Sequence, residues 1–137
     1  MYAIDISEEA IKKAKQKFIS NPDIKFNQAD VNDIDKFGFE PGSIGFVLDL
    51  VSSQFLTKDQ QRTLFRRIRK FLAPTAYVVH SRLRPVGDKA PNWVKRLAMS
   101  PENFERELDG FEVVERVKQM SKNLPDTELH RYVLRPI

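Results

Sequence analysis

Cysteine is absent from this chain, which excludes both disulfide staples and thiolate metal sites. Histidine is nearly as scarce. His80 and His130 stand fifty residues apart on predicted strands, neither with a neighbour at ligand spacing, so no metal site is expected. No apolar run approaches the roughly 20 residues that span a bilayer, and no charged-then-apolar leader opens the sequence. A membrane partner is therefore not expected, and a cytoplasmic setting follows by default. The most telling scarcity is glycine: there are five, and the first is Gly38. A Gly-rich loop has no place in the first 37 residues.

What is present suits one soluble, globular domain over 1–137. The 137 residues are 41% apolar and 31% charged, enough to bury a core without staples. The net charge of +4 leaves 23 basic residues offset by 19 acidic ones spread among them, so a nucleic-acid partner is not expected.

The first residues, Tyr2-Ala3-Ile4-Asp5-Ile6-Ser7, read as a short strand ending in an acid and followed at once by a helix. In nucleotide-binding α/β folds an acid at this position accepts hydrogen bonds from ribose hydroxyls, and the Gly-rich turn for the rest of the ligand lies upstream of it. Here a candidate ribose acid stands with no such turn before it. The expectation is that a segment normally preceding it is missing.

Ser7 is placed to cap that helix, Glu8 and Glu9 suit its first turn, and Ile11, Ala14 and Phe18 recur at helical spacing until Asn21-Pro22 ends it. Residues 24–29 (IKFNQA) read as a strand, and Asp30-Val31-Asn32-Asp33 as the turn leaving it. The near-continuous apolar run 44–50 (IGFVLDL) predicts a strand covered on both faces. Thr57 with Gln60 resembles a capping box for a helix striped by Leu64, Phe65, Ile68, Phe71 and Leu72, which Pro74 should stop. Residues 76–83 (AYVVHSRL) predict another strand, and Ser100-Pro101-Glu102 a helix start with its end at Gly110. Residues 111–120 and 128–134 then alternate as two strands, and the short link between them forces an antiparallel pair.

This order, with its local wording, resembles the class I S-adenosylmethionine-dependent methyltransferases from their second strand onward. AIDISEEAIKKAK is similar to that family's acidic strand end and following helix, QADVND to its adenine-contacting turn, and PGSIGFVLDL to its fourth strand. LFRRIRKFLAP resembles the helix before its fifth strand, and SPENFERELDGFEVVE its last helix and the strand after it. The resemblance implies an α/β Rossmann-like methyltransferase sheet missing its first strand, with a C-terminal antiparallel β-hairpin. Family sheets run 3-2-1-4-5-7-6, so the missing strand is a central one.

Carried over residue by residue, the resemblance implies S-adenosylmethionine as cofactor. Asp5, with Ile6 beside it, would hold the ribose hydroxyls; Asp30 would accept from the adenine amino group while the Val31 amide contacts the ring. Asp49, at the end of the fourth strand, would orient the methyl acceptor, with Ser52, Ser53 and Gln54 assisting. Methyl transfer needs alignment above all, so few obligatory catalytic groups are expected. Arg62, Arg66, Arg67, Arg69 and Lys70 read as a solvated basic helix face, and Trp93 lies where family members often carry an acceptor-binding flap.

Three functions follow. The first is a methyltransferase-like protein acting on a small molecule. The second is a catalytically inactive derivative serving as an assembly or interaction module, a homodimer or a complex with a chain that supplies the missing strand. The third, nucleotide binding without methyl transfer, is disfavoured by the terminal hairpin, because dinucleotide domains are usually parallel throughout.

Overall fold

The computed structural model describes all 137 residues, which fall into two compact units, 1–38 and 39–137. In the first, β1 (Tyr2–Asp5) and β2 (Lys25–Gln28) form a parallel two-stranded sheet, in register from Tyr2↔Lys25 to Asp5↔Gln28. A parallel pair needs a crossover, and α1 (Glu8–Lys17) is that crossover. Its start follows the sequence: Ser7 Oγ accepts from the Ala10 amide at 3.2 Å, and Glu8 and Glu9 occupy the first turn. Ile11 is buried, and Phe18 stacks on Phe26 with ring centroids 6.4 Å apart.

After β2 the expected turn at 30–33 is instead the start of a 3-10 segment that runs from Val31 to Phe37. Asp30 accepts from the Asn32 amide at 2.8 Å, a cap that starts helical structure rather than reversing the chain, and Ile34 anchors the segment by burial.

The second unit is a four-stranded sheet in the order β3-β4-β6-β5, with β3 (Ile44–Leu50) parallel to β4 (Leu72–Pro85). β6 (Thr127–Pro136) runs antiparallel to both β4 and β5 (Phe111–Met120), which is the predicted terminal hairpin. The two orders, β1-β2 and β3-β4-β6-β5, are those of the implied sheet on either side of its first strand, so the predicted fold class holds. Crossing from β3 to β4 is α2 (Lys58–Phe71), entered through a complete capping box of Thr57 and Gln60. It buries Gln61, Leu64, Phe65, Ile68 and Phe71.

Several element ends differ from expectation. α2 stops at Phe71, because Leu72 is already extended and the residue before Pro74 is pushed out of the helical region. β4 therefore begins at Leu72 rather than residue 76, and its ladder to β3 is irregular between Ile44↔Leu72 and Phe46↔Tyr77, on either side of the proline. The helix begun at Ser100, α4 (Pro101–Glu107), ends before Gly110, after the one-turn α3 (Asn92–Lys95). Gly110 has φ +78° and opens β5; a Cβ there would strike the Arg69 side chain. β3 was expected to be covered on both faces, but it is an edge strand paired only with β4, and Phe46, Leu48 and Leu50 are 57%, 57% and 51% exposed. No helix is long and apolar enough to cross a membrane.

Candidate functional site

Asp5 is the last residue of β1, and its carbonyl accepts from the Ala29 amide at 3.0 Å, one residue before Asp30. The parallel pairing thus brings both acids to the carboxyl ends of adjacent strands, the end at which open α/β sheets bind ligands. Asp5 Oδ1 accepts from the Ser7 amide at 2.8 Å. Asp30 Oδ1 accepts from the Asn32 amide and from Asn32 Nδ2, at 2.8 and 2.9 Å. In both carboxylates Oδ2 takes no hydrogen bond. Ile6 exposes its side chain, while Gln28 Nε2 approaches its carbonyl at 3.4 Å; Val31 is the first residue of the 3-10 segment, where amides lack intrahelical partners.

In the second unit, Asp49 is the penultimate residue of β3 and lies beside His80 of β4 in register. Neighbours across a parallel ladder share a face, so both side chains project from the face of the sheet where His80 packs on Phe65 of α2 and Phe104 of α4. A chain of hydrogen bonds starts there. Asp49 Oδ2 lies 2.8 Å from His80 Nδ1, and His80 Nε2 lies 3.2 Å from Arg82 Nη1. Arg82 Nη2 donates to Gln61 Oε1 of α2 at 2.8 Å and to the Met99 carbonyl at 3.2 Å. The guanidinium also sits 4.5 Å from the centre of the Phe104 ring, and neither His80 nor Arg82 has any exposed surface.

The turn after β3 closes this cluster. Val51 has φ +77°, a strained conformation for a β-branched residue, and the 3-10 turn Ser52–Phe55 that follows folds back over Asp49. Ser53 donates its amide to Asp49 Oδ1 at 3.2 Å and its hydroxyl to Oδ2. Gln54 Oε1 accepts from the Leu83 amide at 2.9 Å, pinning the turn to β4.

Charge states follow from these contacts. Burial drives the His80 pKa below its usual 6.5, and the Arg82 cation adds to that against the pull of Asp49, so the ring is neutral near pH 7. Arg82 can only donate, so Nε2 accepts and Nδ1–H donates to Asp49. Burial would raise the Asp49 pKa, but the hydrogen bond from His80 and the two from Ser53 outweigh it and hold the carboxyl below its usual range. Arg82 is pushed down to about 10 by burial and stays charged. A neutral histidine thus bridges a buried anion and a buried cation. Three of roughly four acceptor positions on the Asp49 carboxylate are filled, leaving one.

Sequence reasoning named Asp49 and Ser53 but missed His80, Arg82 and Gln61. The signal was in the β4 alternation: His80 and Arg82, two apart, are polar on the same face of a strand that otherwise reads as buried. On the basic helix face, Arg62 pairs with Asp59 and Glu107, and Arg69 donates to the Ile137 carbonyl. Those two cations are thus met within the chain.

A protein-family model described as a methyltransferase domain matches residues 1–75, more than half of the chain. No curated protein matches it significantly. Among solved structures, the trans-methyltransferase CalH in complex with SAH superposes with a TM-score of 0.76 at 20% identity, over 99% of this chain and 42% of CalH. The N-methyltransferase NodS from Bradyrhizobium japonicum WM9, with S-adenosyl-L-homocysteine, gives 0.73 at 18% identity over 98% of this chain and 65% of NodS. The 1,6-didemethyltoxoflavin-N1-methyltransferase from Burkholderia thailandensis, with 1,6-didemethyltoxoflavin and S-adenosylhomocysteine bound, gives 0.73 at 16% identity over 99% and 61%. At these identities the likeness establishes the fold. The chain spans between two fifths and two thirds of the length of these three proteins.

Proposed function

The chain belongs to the methyltransferase domain family, of the class I S-adenosylmethionine-dependent kind, and from that premise we propose that it takes part in S-adenosylmethionine-dependent methylation of a small molecule. The observation that carries this reading is the placement of Asp5 at the carboxyl end of β1 and of Asp30 just past that of β2, each with Oδ2 open, inside the matched stretch. That arrangement fits the adenosine end of the cofactor: Asp5 receives the ribose diol beside Ile6, and Asp30 receives the adenine amino group beside the Val31 amide. When bound, S-adenosylmethionine supplies an activated methyl group.

Asp49 keeps its proposed role of orienting the acceptor through its one unfilled acceptor position, while Ser53 and His80 hold its carboxylate ionised and fixed. The acceptor is proposed to be a small molecule because one structural relative is solved with such a molecule bound. The setting we assign is cytoplasmic, on composition alone.

The affinity follows from the donors and acceptors present. Two carboxylate contacts and one amide, at about 0.5–3 kcal/mol each, sum to about 1.5–9 kcal/mol, and the middle of that range corresponds to a dissociation constant on the order of 0.1 mM. Calorimetric titration of S-adenosylhomocysteine into the purified chain tests it. Saturable binding in that range supports the assignment; absence of any saturable heat overturns it.

A second reading, an assembly or interaction module without methyl transfer, is favoured by one observation. β3 has an open edge, and Phe46, Leu48 and Leu50 point from one face into solvent. Such an edge invites another strand. The partner proposed is a second copy or a chain carrying a complementary strand. Light scattering at high micromolar concentration tests it, and a strictly monomeric species would count against this reading.

A further inference from the structure

Beside the turn that carries Ser53, the 39–137 unit has an open cleft of about 620 Å³, lined among others by Gln54, Phe55, Asn92, Trp93, Arg96 and Leu97. A volume of this order suits a small molecule and is far more than ordered water needs. The chemistry of the lining is specific. Phe55 and Trp93 stack on each other with centroids 5.8 Å apart and an interplanar angle of 29°, yet remain 64% and 43% exposed. They form a broad apolar wall on the cleft.

Arg96 is the one charged residue lining the cleft; it is exposed and makes no ion pair, and no carboxylate lines the cleft to compete for it. Gln54 is almost fully buried. Its Oε1 is taken by the Leu83 amide, but Nε2 has no partner, an unmet donor of a kind that folded proteins seldom leave.

We infer that this cleft binds a planar aromatic carboxylate, its ring on the Phe55–Trp93 wall and its carboxylate on the Arg96 guanidinium. Stacking on exposed rings selects a flat π-system, and the guanidinium fork matches a carboxylate in two parallel hydrogen bonds. The inference names an acceptor class and rests on the methyltransferase reading above; binding itself is measured separately.

Trp93 is the only tryptophan in the chain, so all indole emission comes from this wall. 4-Nitrobenzoate, an aromatic anion that quenches indole, is the probe, with nitrobenzene as the neutral control and cyclohexanecarboxylate as a non-aromatic competitor. Saturable quenching by the nitrobenzoate is expected, with both controls at least about tenfold weaker. Arg96→Gln should weaken the anion about tenfold, the equivalent of one charged contact. Phe55→Leu should weaken it several-fold, and both side chains are exposed enough for the fold to survive. Unsaturable quenching, equal binding of all three compounds, or an Arg96→Gln variant that binds as well as the parent overturns the inference. S-adenosylhomocysteine calorimetry on the same sample separates the two readings. Cofactor binding without nitrobenzoate binding removes this inference alone, whereas nitrobenzoate binding without cofactor binding keeps the cleft and removes its role as acceptor site.

Discussion

Replacing Asp49 by asparagine keeps the shape of the side chain and removes its charge. The cost should be large because everything around it is arranged for an anion. The carboxylate accepts from His80 Nδ1, the Ser53 amide and the Ser53 hydroxyl, and beyond the imidazole it faces Arg82, which has no exposed surface. Breaking a buried charge pair by removing one member costs about 3–5 kcal/mol, since the other member is left uncompensated. Arg82→Met should cost a similar amount, because it leaves Gln61 Oε1 and the Met99 carbonyl without their donor. The two losses should not add. Bridged by the ring, the charges lie roughly 8 Å apart, and at an effective dielectric near 20 their attraction is about 2 kcal/mol, which the double variant loses only once. The double variant should therefore be about 2 kcal/mol more stable than the sum of the single losses predicts. Urea unfolding followed by Trp93 emission measures the cycle within the 39–137 unit, with equal m-values as the check on comparability. Additivity within about 0.5 kcal/mol would show that the charges do not sense each other through His80 and would refute the bridge.

Three other outcomes follow. Because the folded-state pKa of His80 is lowered, the unfolded chain binds that proton first as pH drops below about 6.5; stability should fall by up to about 1.4 kcal/mol per pH unit in that window. His80→Gln should abolish the slope, whereas Asp49, whose lowered pKa starts from 3.8, acts only at more acid pH, so a slope unchanged in the variant would assign it elsewhere. Val51→Gly should stabilise the protein by about 1 kcal/mol by relieving the positive φ, less what glycine adds to the entropy of the unfolded chain, and an unfolding midpoint below the parent's would show that the strain is absent. In the S-adenosylhomocysteine titration Asp5→Ala should weaken binding more than Asp30→Ala, because Asp5 would meet the ribose diol through two oxygens while the adenine contact is shared with the Val31 amide; equal losses would contradict the ranking.

Much of the architecture was legible because its signals are local. Ser7, Thr57 and Ser100 each cap the helix they precede, and the hairpin was forced by a link too short for a crossover. The placement of Asp5 and Asp30 at one end of adjacent strands was legible by a different route. A strand, one helix and a second strand can pair in parallel only through a crossover, and that pairing brings both strand ends to the same edge. Element boundaries were less so. Asp30 caps a 3-10 segment where a turn was expected, and β4 starts at Leu72 because Pro74 acts on the residues before it.

Sequence alone therefore determined the order of the elements, the fold class and the acids at the β1–β2 end, since caps, periodicity and link length act over a few residues. Tertiary structure alone decided that Asp49 is bound to a neutral His80 and through it to a buried Arg82. It also decided that Gln54 keeps an unmet donor beside two stacked aromatic rings and that β3 stands at an edge. Those outcomes depend on register, burial and charge among residues up to about thirty positions apart, and the field at a buried group is the sum of neighbours that no local pattern specifies.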